Sequence, residues 1–335
     1  MFQFSCFNFQ SAYAQLIPNL GGQRAGISSY TLLKNDIDPR MIAMGGAGTT
    51  LEGNGYAAHW NPACLPELNG HNISVSTRML YAGMNQSYVA GNIRLRETDY
   101  LALSINSFYT GSMDERTEFM PQGTGQKVSA NTIAMGVSYA KMLTYKFSFG
   151  TSIRYLRESY SYYSSSLVVV DIGFIYKTDW KKLRFGVFLQ NFGPNSSASG
   201  SFVPVNFINK TISPESYPTP TVFKFGLNFV PFEKDKQKLL TSIELNHPND
   251  NASNVRIGLE YSYIDMFFVR AGYWINLIGY SVPTFGAGIR TTVGGQIVHI
   301  NYAFQSSNTL GSTHTVGLSF TISKIVRETN ENTAQ

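Results

Sequence analysis

Charge is scarce in this chain. Asp, Glu, Lys and Arg make up 14% of its 335 residues, against roughly 25% in soluble domains. So few charges leave little to cover a water-facing surface of this size. Long apolar runs are missing as well. No stretch of about 18 apolar residues follows the N-terminus. The most apolar one, 165–176, has the length of a strand and contains Asp171 and Gly173. A helical membrane protein is therefore excluded. Cysteine is nearly absent: Cys6 lies in the first residues and Cys64 stands alone, so no disulfide framework is expected. The net charge is +5, but Lys and Arg are spread at one or two per strand-length segment, which is not a nucleic-acid surface. The five histidines occur singly, without metal-ligand spacing, and no nucleophile-elbow or nucleotide-binding turn is present. Hence no metal, no cofactor and no enzymatic activity is expected.

What is abundant is aromatic or small: 20 Tyr, 23 Phe and 30 Gly. From His71 onward these residues alternate. In 146–155, Phe147, Phe149, Thr151, Ile153 and Tyr155 share one face, and Ser148, Gly150, Ser152 and Arg154 the other. In 222–229, Phe223, Phe225, Leu227 and Phe229 oppose Lys224, Gly226 and Asn228. In 255–263, Val255, Ile257, Leu259, Tyr261 and Tyr263 oppose Arg256, Gly258, Glu260 and Ser262. Period two marks strands. The charges lie on the face with small residues, too small to fill a sandwich core, so the large apolar face meets lipid. The fold class predicted is all-β: a transmembrane antiparallel barrel of about 14 strands with an N-terminal plug. The strands are expected near 71–80, 86–95, 98–109, 130–140, 145–158, 165–177, 183–192, 221–230, 238–247, 254–264, 266–276, 284–292, 296–305 and 313–322. Alternate connections are short, and the others are mostly longer and rich in Gly, Ser, Asn and Pro. That asymmetry belongs to barrels of the bacterial outer membrane, and lipid of that membrane is the expected surroundings.

The rest of the chain divides around the barrel. Residues 1–14 are expected to be a signal peptide, because Ala12-Tyr13-Ala14 precedes Gln15 in a small-x-small cleavage pattern. Residues 15–69 are Gly-rich without alternation and form the plug, with short helical turns near 30–33 and 56–58. The barrel takes 70–322. The charged, Asn/Thr-rich 323–335 is a disordered periplasmic tail.

The run 38–48, with Arg40, Gly45, Gly46 and Gly48, followed by His59-Trp60-Asn61-Pro62-Ala63, resembles the PorV/PorQ family. That family consists of FadL-related outer-membrane barrels associated with the type IX secretion system of Bacteroidota. Glycines at 45, 46 and 48 allow positive φ and close backbone approach, and Asn61-Pro62 starts a turn. Arg40 has Asp171 and Glu260 as candidate lumen partners. Arg154, Asp171, Arg256 and Glu260 are expected to form an interior charge network that fixes the plug; a hydrolytic carboxylate pair would need a cleft that a plugged barrel lacks. The resemblance implies an accessory barrel of protein secretion, whose partners are translocon or attachment proteins or exported cargo. The long loop 193–220 carries Phe202, Val203, Phe207, Ile208 and Tyr217, an apolar set suited to such a partner unless the loop buries it on the barrel mouth. The alternative is a FadL-like transporter of hydrophobic small molecules. A porin is the weakest reading, since the plug fills the lumen.

Overall fold

The computed structural model describes residues 26–52, 55–68, 70–161, 163–200, 215–277, 279 and 282–322. The signal-peptide expectation, the tail, and Phe202, Val203, Phe207 and Ile208 of the partner loop lie outside these residues.

Fourteen long strands form one closed antiparallel barrel. They are β1 (His71–Met79), β2 (Asn85–Arg94), β3 (Asp99–Tyr109), β4 (Ala130–Met142), β5 (Phe147–Tyr160), β6 (Tyr163–Lys177), β7 (Arg184–Phe192), β8 (Val222–Lys234), β9 (Gln237–Pro248), β10 (Asn254–Tyr263), β11 (Phe267–Ile275), β12 (Thr284–Val293), β13 (Gln296–Ser307) and β14 (Gly311–Ile322). Each pairs with its neighbours in sequence, and β1 closes the ring on β14, from His71↔Ile322 to Met79↔His314. Closure leaves no unpaired edge, which is what allows strands to cross a bilayer.

Burial alternates along the strands: β1 and β4 run exposed–buried with hardly a break. The exposed set is apolar, with Ile73, Val75, Leu103, Ile105, Met135, Val137 and Ile153 in mid-strand. Tyr139, Tyr176, Tyr261, Tyr263 and Phe267 stand outward near the short-turn end, the position of an interfacial aromatic girdle. Of the charged strand residues, Arg78, Arg154, Glu158, Asp171, Lys224, Glu244, Glu260 and Arg270 are buried and face inward, whereas Arg157, toward the long-loop end, and Arg94, Lys141, Glu233 and Lys234, at the short-turn end, are exposed.

Several strand ends depart from expectation by two residues or more, among them the facing ends of β13 and β14, where Ser307 pairs with Gly311. The strand expected over 221–230 stops just before Pro231, which cannot donate to a ladder. The strand instead continues to Lys234 past a register shift between Phe229 and Phe232, and an irregularity of that kind tolerates proline. The connection expected over 159–164 shrinks because Tyr160 pairs with Tyr163.

Residues 30–68 lie against the inward faces. They form a 3₁₀ turn at Thr31–Lys34, α1 (Pro39–Ala43), α2 (Ala57–Trp60) and a second 3₁₀ helix at Pro62–Glu67. Asp38 caps α1 by accepting from Arg40 N at 2.9 Å, with Pro39 at the first position. Asn61 caps the second 3₁₀ helix in the same way, accepting from Ala63 N at 3.0 Å. These helices are too short to stand alone; packing holds them. Ile37, Met41, Met44, Leu51, Tyr56 and Trp60 cluster with Tyr88 and Ala90 of β2. Ala63, Cys64, Leu65 and Leu68 cluster with Tyr100, Ala102, Ala140 and Ile175 of the wall.

Candidate functional site

The interior segment is fixed to the wall by close backbone approach and by ion pairs. Gly45 (φ +66) and Gly46 (φ +72) are left-handed as expected; Gly48 is not, and instead packs tightly between Met41 and Trp60. Gly45 N donates to Thr284 Oγ1 at 3.1 Å, and Trp274 Nε1 donates to Gly45 O. Asn61 Nδ2 donates to Thr49 O at 2.9 Å, tying the two family-like stretches together. Trp60 is buried, with the Lys224 ammonium 5.0 Å from its ring centroid. Pro62 and Ala63 sit so close to Gly150 of β5 that a Cβ there would meet Ala63 N at 2.3 Å.

The four residues expected to form one charge network fall in three separate groups. Arg40 grips Glu260 with both ends of its guanidinium, Nε to Oε2 at 2.8 Å and Nη2 to Oε1 at 2.7 Å. Arg270 Nε reaches the same carboxylate at 2.6 Å. Such a buried triad costs desolvation to form, but removing its one carboxylate would strand two guanidiniums. Arg154 pairs with Asp171 at 2.7 Å in a separate group about Asn191. Arg256 joins neither carboxylate: it pairs with Asp36 at 3.6 Å and donates to Gly46 O at 3.2 Å. Asp36, Glu52, Glu67 and Asp250 were not among the expected charge partners. They lie in the irregular stretch and a loop, where no periodicity assigns a face. Glu67 and Glu52 both take Arg184, at 2.5 and 3.1 Å.

Burial sets the chemistry of the segment's titratable groups. His59, enclosed beside Arg154 and Lys224, is pushed well below the ordinary imidazole range by desolvation first and by those two cations second. Burial raises the Cys64 thiol, and Glu67 adds to the effect. That agrees with a packed small residue rather than a nucleophile.

The wall itself is interrupted next to Asp171. Between β6 and β7 the register shifts: Val170 faces Phe192 and Ile172 faces Leu189, so Gln190 and Asn191 together oppose Asp171. This is a β-bulge. Asn191 takes φ +59 and donates its backbone N–H to Asp171 Oδ1 at 2.6 Å. Its Nδ2 donates to Pro220 O at 3.1 Å. The signal was readable as two adjacent polar residues, Gln190-Asn191, in an alternating strand. Just toward the long loops from the bulge, the inward face turns apolar: Ala134, Leu156, Leu167 and Val169, covered by Tyr30 and Leu33 of the interior segment.

Two cavities flank the segment. One of about 410 Å³ lies at the short-turn end, lined by Arg40, Glu67, Lys177, Arg184, Glu260 and Arg270 among others. The other, about 220 Å³, lies at the long-loop end and includes Leu33, Asp36, Lys224, Asp250, Arg256 and Trp274. Tyr217, the part of the partner-loop set within the described residues, is exposed and donates to Glu215.

No family model and no curated protein sequence matches the chain. Solved structures do. The toluene transporter TodX of P. putida aligns over 86% of this chain and 98% of its own, with a TM-score of 0.59 at 10% identity. The toluene transporter TbuX of Ralstonia pickettii aligns over 86% and 97%, with 0.56 at 12% identity. The monoaromatic hydrocarbon channel CymD aligns over 85% and 96%, with 0.53 at 14% identity. The chain is an antiparallel barrel of the bacterial outer-membrane kind, with the fold that these three share. At these identities the likeness is one of fold. The PorV/PorQ assignment is not shown by them.

Proposed function

We propose that this FadL-like barrel carries small hydrophobic molecules across the outer membrane, without chemistry on them, and that residues 15–69, described over 26–52 and 55–68, are its plug. The longer loops face the outside and the short turns the periplasm, following the usual arrangement of such barrels. The observation that carries the proposal is the apolar patch on the bore side of β4–β6, next to the ladder break at Asp171 and Asn191. A water-filled porin has a polar interior, whereas here Leu156, Leu167 and Val169 form an apolar inner face on which Tyr30 and Leu33 rest. An apolar solute that reached this patch would have a wall with a missing register step beside it, and lipid on the other side. TodX and TbuX are described as toluene transporters and CymD as a monoaromatic hydrocarbon channel, which supports the solute class. The type IX secretion reading, with translocon or cargo as partner, rests on the 38–48 and 59–63 stretches and on the 193–220 loop set, of which Tyr217 alone is among the described residues.

The test is accumulation of labelled toluene by Gram-negative cells producing the barrel. Deleting Asn191 removes the bulge: Gln190 stays inward, Phe192 stays outward and the ladder becomes continuous. We expect the wild type to raise accumulation over empty cells and the deletion to abolish the gain while the protein still shows heat-modifiable migration on gels. Equal accumulation with and without the wild-type barrel would refute the transporter reading; full activity of the deletion would refute the route.

A further inference from the structure

The cavity at the long-loop end carries a chemistry that a neutral hydrocarbon does not need. Its walls supply four cations, Lys34, Arg78, Lys224 and Arg256, against two carboxylates, Asp36 and Asp250. Three of the cations are engaged. Lys34 pairs with Asp250. Arg256 pairs with Asp36, and Arg78 donates to Asp36 O at 2.9 Å and to Gln305 Oε1 at 2.6 Å. Lys224 is different. It is 4% exposed, and its Nζ lies 5.0 Å from the Trp60 ring centroid and 5.8 Å from that of Phe188. Among the described residues its ammonium makes no hydrogen bond and no ion pair within 4.0 Å. Glu244 is only diagonal to it, since Lys224 faces Asn246 and Glu244 faces Gly226 in the β8–β9 ladder. Glu244 already gives Oε2 to Thr49 N at 2.9 Å. A buried ammonium without a direct partner is costly, and this one faces open space.

We propose that the cavity is a binding site for a small organic carboxylate, with Lys224 as its charge partner and an aromatic-ring-sized apolar body against Leu33, Val222, Trp274 and Leu277. The inference rests on the transporter reading and narrows its substrate class. Apolar walls favour an organic body over an inorganic ion. The excess of cations disfavours an amine. A volume of about 220 Å³ is below the usual range of ligand pockets, about 300–1,000 Å³; it takes one ring and not a long acyl chain. Lys224 sits between two aromatic faces, so a carboxylate arriving there meets an ammonium already stripped of most water, where a charge-assisted hydrogen bond is strong.

The experiment is calorimetry on the purified full chain in detergent, with benzoate and its neutral counterpart benzyl alcohol as probes. Wild type is expected to bind benzoate at one site and benzyl alcohol at least about tenfold more weakly. Lys224→Gln should weaken benzoate about tenfold or more, and Lys224→Arg should restore most of the loss. Glu244→Gln still accepts from Thr49 N but no longer competes for the ammonium, so it should tighten benzoate. No saturable benzoate binding, or equal affinity in wild type and Lys224→Gln, would overturn the proposal. Where Lys224→Gln does not fold, Glu244→Gln decides: unchanged or weaker affinity overturns it. Toluene accumulation by the wild type, measured alongside, reports on the transporter reading separately. Accumulation without benzoate binding removes this inference alone.

Discussion

At Gly272 the backbone of the wall runs directly against the backbone of the interior segment. A Cβ built there would lie 2.0 Å from Gly45 N and 2.2 Å from Met44 C. Those are backbone atoms, so no side chain can swing away. Gly272→Ala should therefore displace the Met44–Gly45 turn and lower stability by about 1–3 kcal/mol or more, in the range of core overpacking. Gly45→Ala asks for a left-handed alanine, about 1–2 kcal/mol, in a site where the nearest atom is 3.0 Å away. Denaturant midpoints of the two variants, and trypsin cleavage after the half-buried Arg40, are the measurements; Gly272→Ala should be the more damaged. An undisturbed Gly272→Ala protein would mean that the segment is not seated as described.

His59 makes a pH prediction at the same scale. Its folded-state pKa is lowered, by burial first and by Arg154 and Lys224 next, while an unfolded histidine titrates near 6.5. Above about pH 6.5 both states are neutral and the residue has no effect. As pH falls below that value the unfolded chain takes up a proton that the folded chain refuses, so stability is lost. Wild type should lose more stability between pH 7 and pH 5 than His59→Asn, by thermal unfolding at the two pH values. Identical losses would show that His59 takes up its proton in the fold as readily as outside it.

At the scale of elements, strands were far more legible than the interior segment. Each of the fourteen expected strands overlaps an observed one, because lipid on one side and a small, polar bore on the other impose period two on the sequence. Ends failed where a ladder continues through an irregularity, as β8 does past Pro231. In β7, Gln190-Asn191 broke the alternation, and the break was not read as a bulge. The interior helices carry four to six residues, too few to show a 3.6-residue period, and tertiary contacts decide them. Helical turns were expected near 30–33 and 56–58, where a 3₁₀ turn and α2 lie, but none was expected at α1. The alternation makes its own prediction. Ile153, in mid-strand β5, is 57% exposed with no protein neighbour to shelter a charge. Ile153→Arg should cost about 2–4 kcal/mol of folding free energy in bilayers, the figure for a cation at the midplane of a barrel's lipid face. Folding titrations into phospholipid vesicles would read it. A near-zero cost would place that face in water and remove the membrane argument.

For the whole molecule, pairing partners were the least legible feature. Which charges meet across a bore depends on the register of every strand between them, and one residue of slip reverses a strand's faces. Arg40 had two candidate carboxylates and takes Glu260; Arg256 finds Asp36, on a stretch that no pattern assigned. Wall and segment also differ in what they need from each other. The ladder closes from β1 to β14 with no bond contributed by residues 26–68, whereas the segment's helices depend on the wall. Much of the inward face is small, with Ser74, Ser76, Ala90, Ala102, Ala140, Ser148 and Ser152. Deleting residues 26–68 should then leave a folded barrel with an emptied, hydrated bore. In planar bilayers the shortened chain should show step conductance where the intact chain shows none, and Lys, Arg, Asp and Glu left unpaired in the bore should make that conductance sensitive to salt and pH. A shortened chain that remains heat-modifiable but silent would mean that something other than this segment closes the barrel, and the plug assignment would fall.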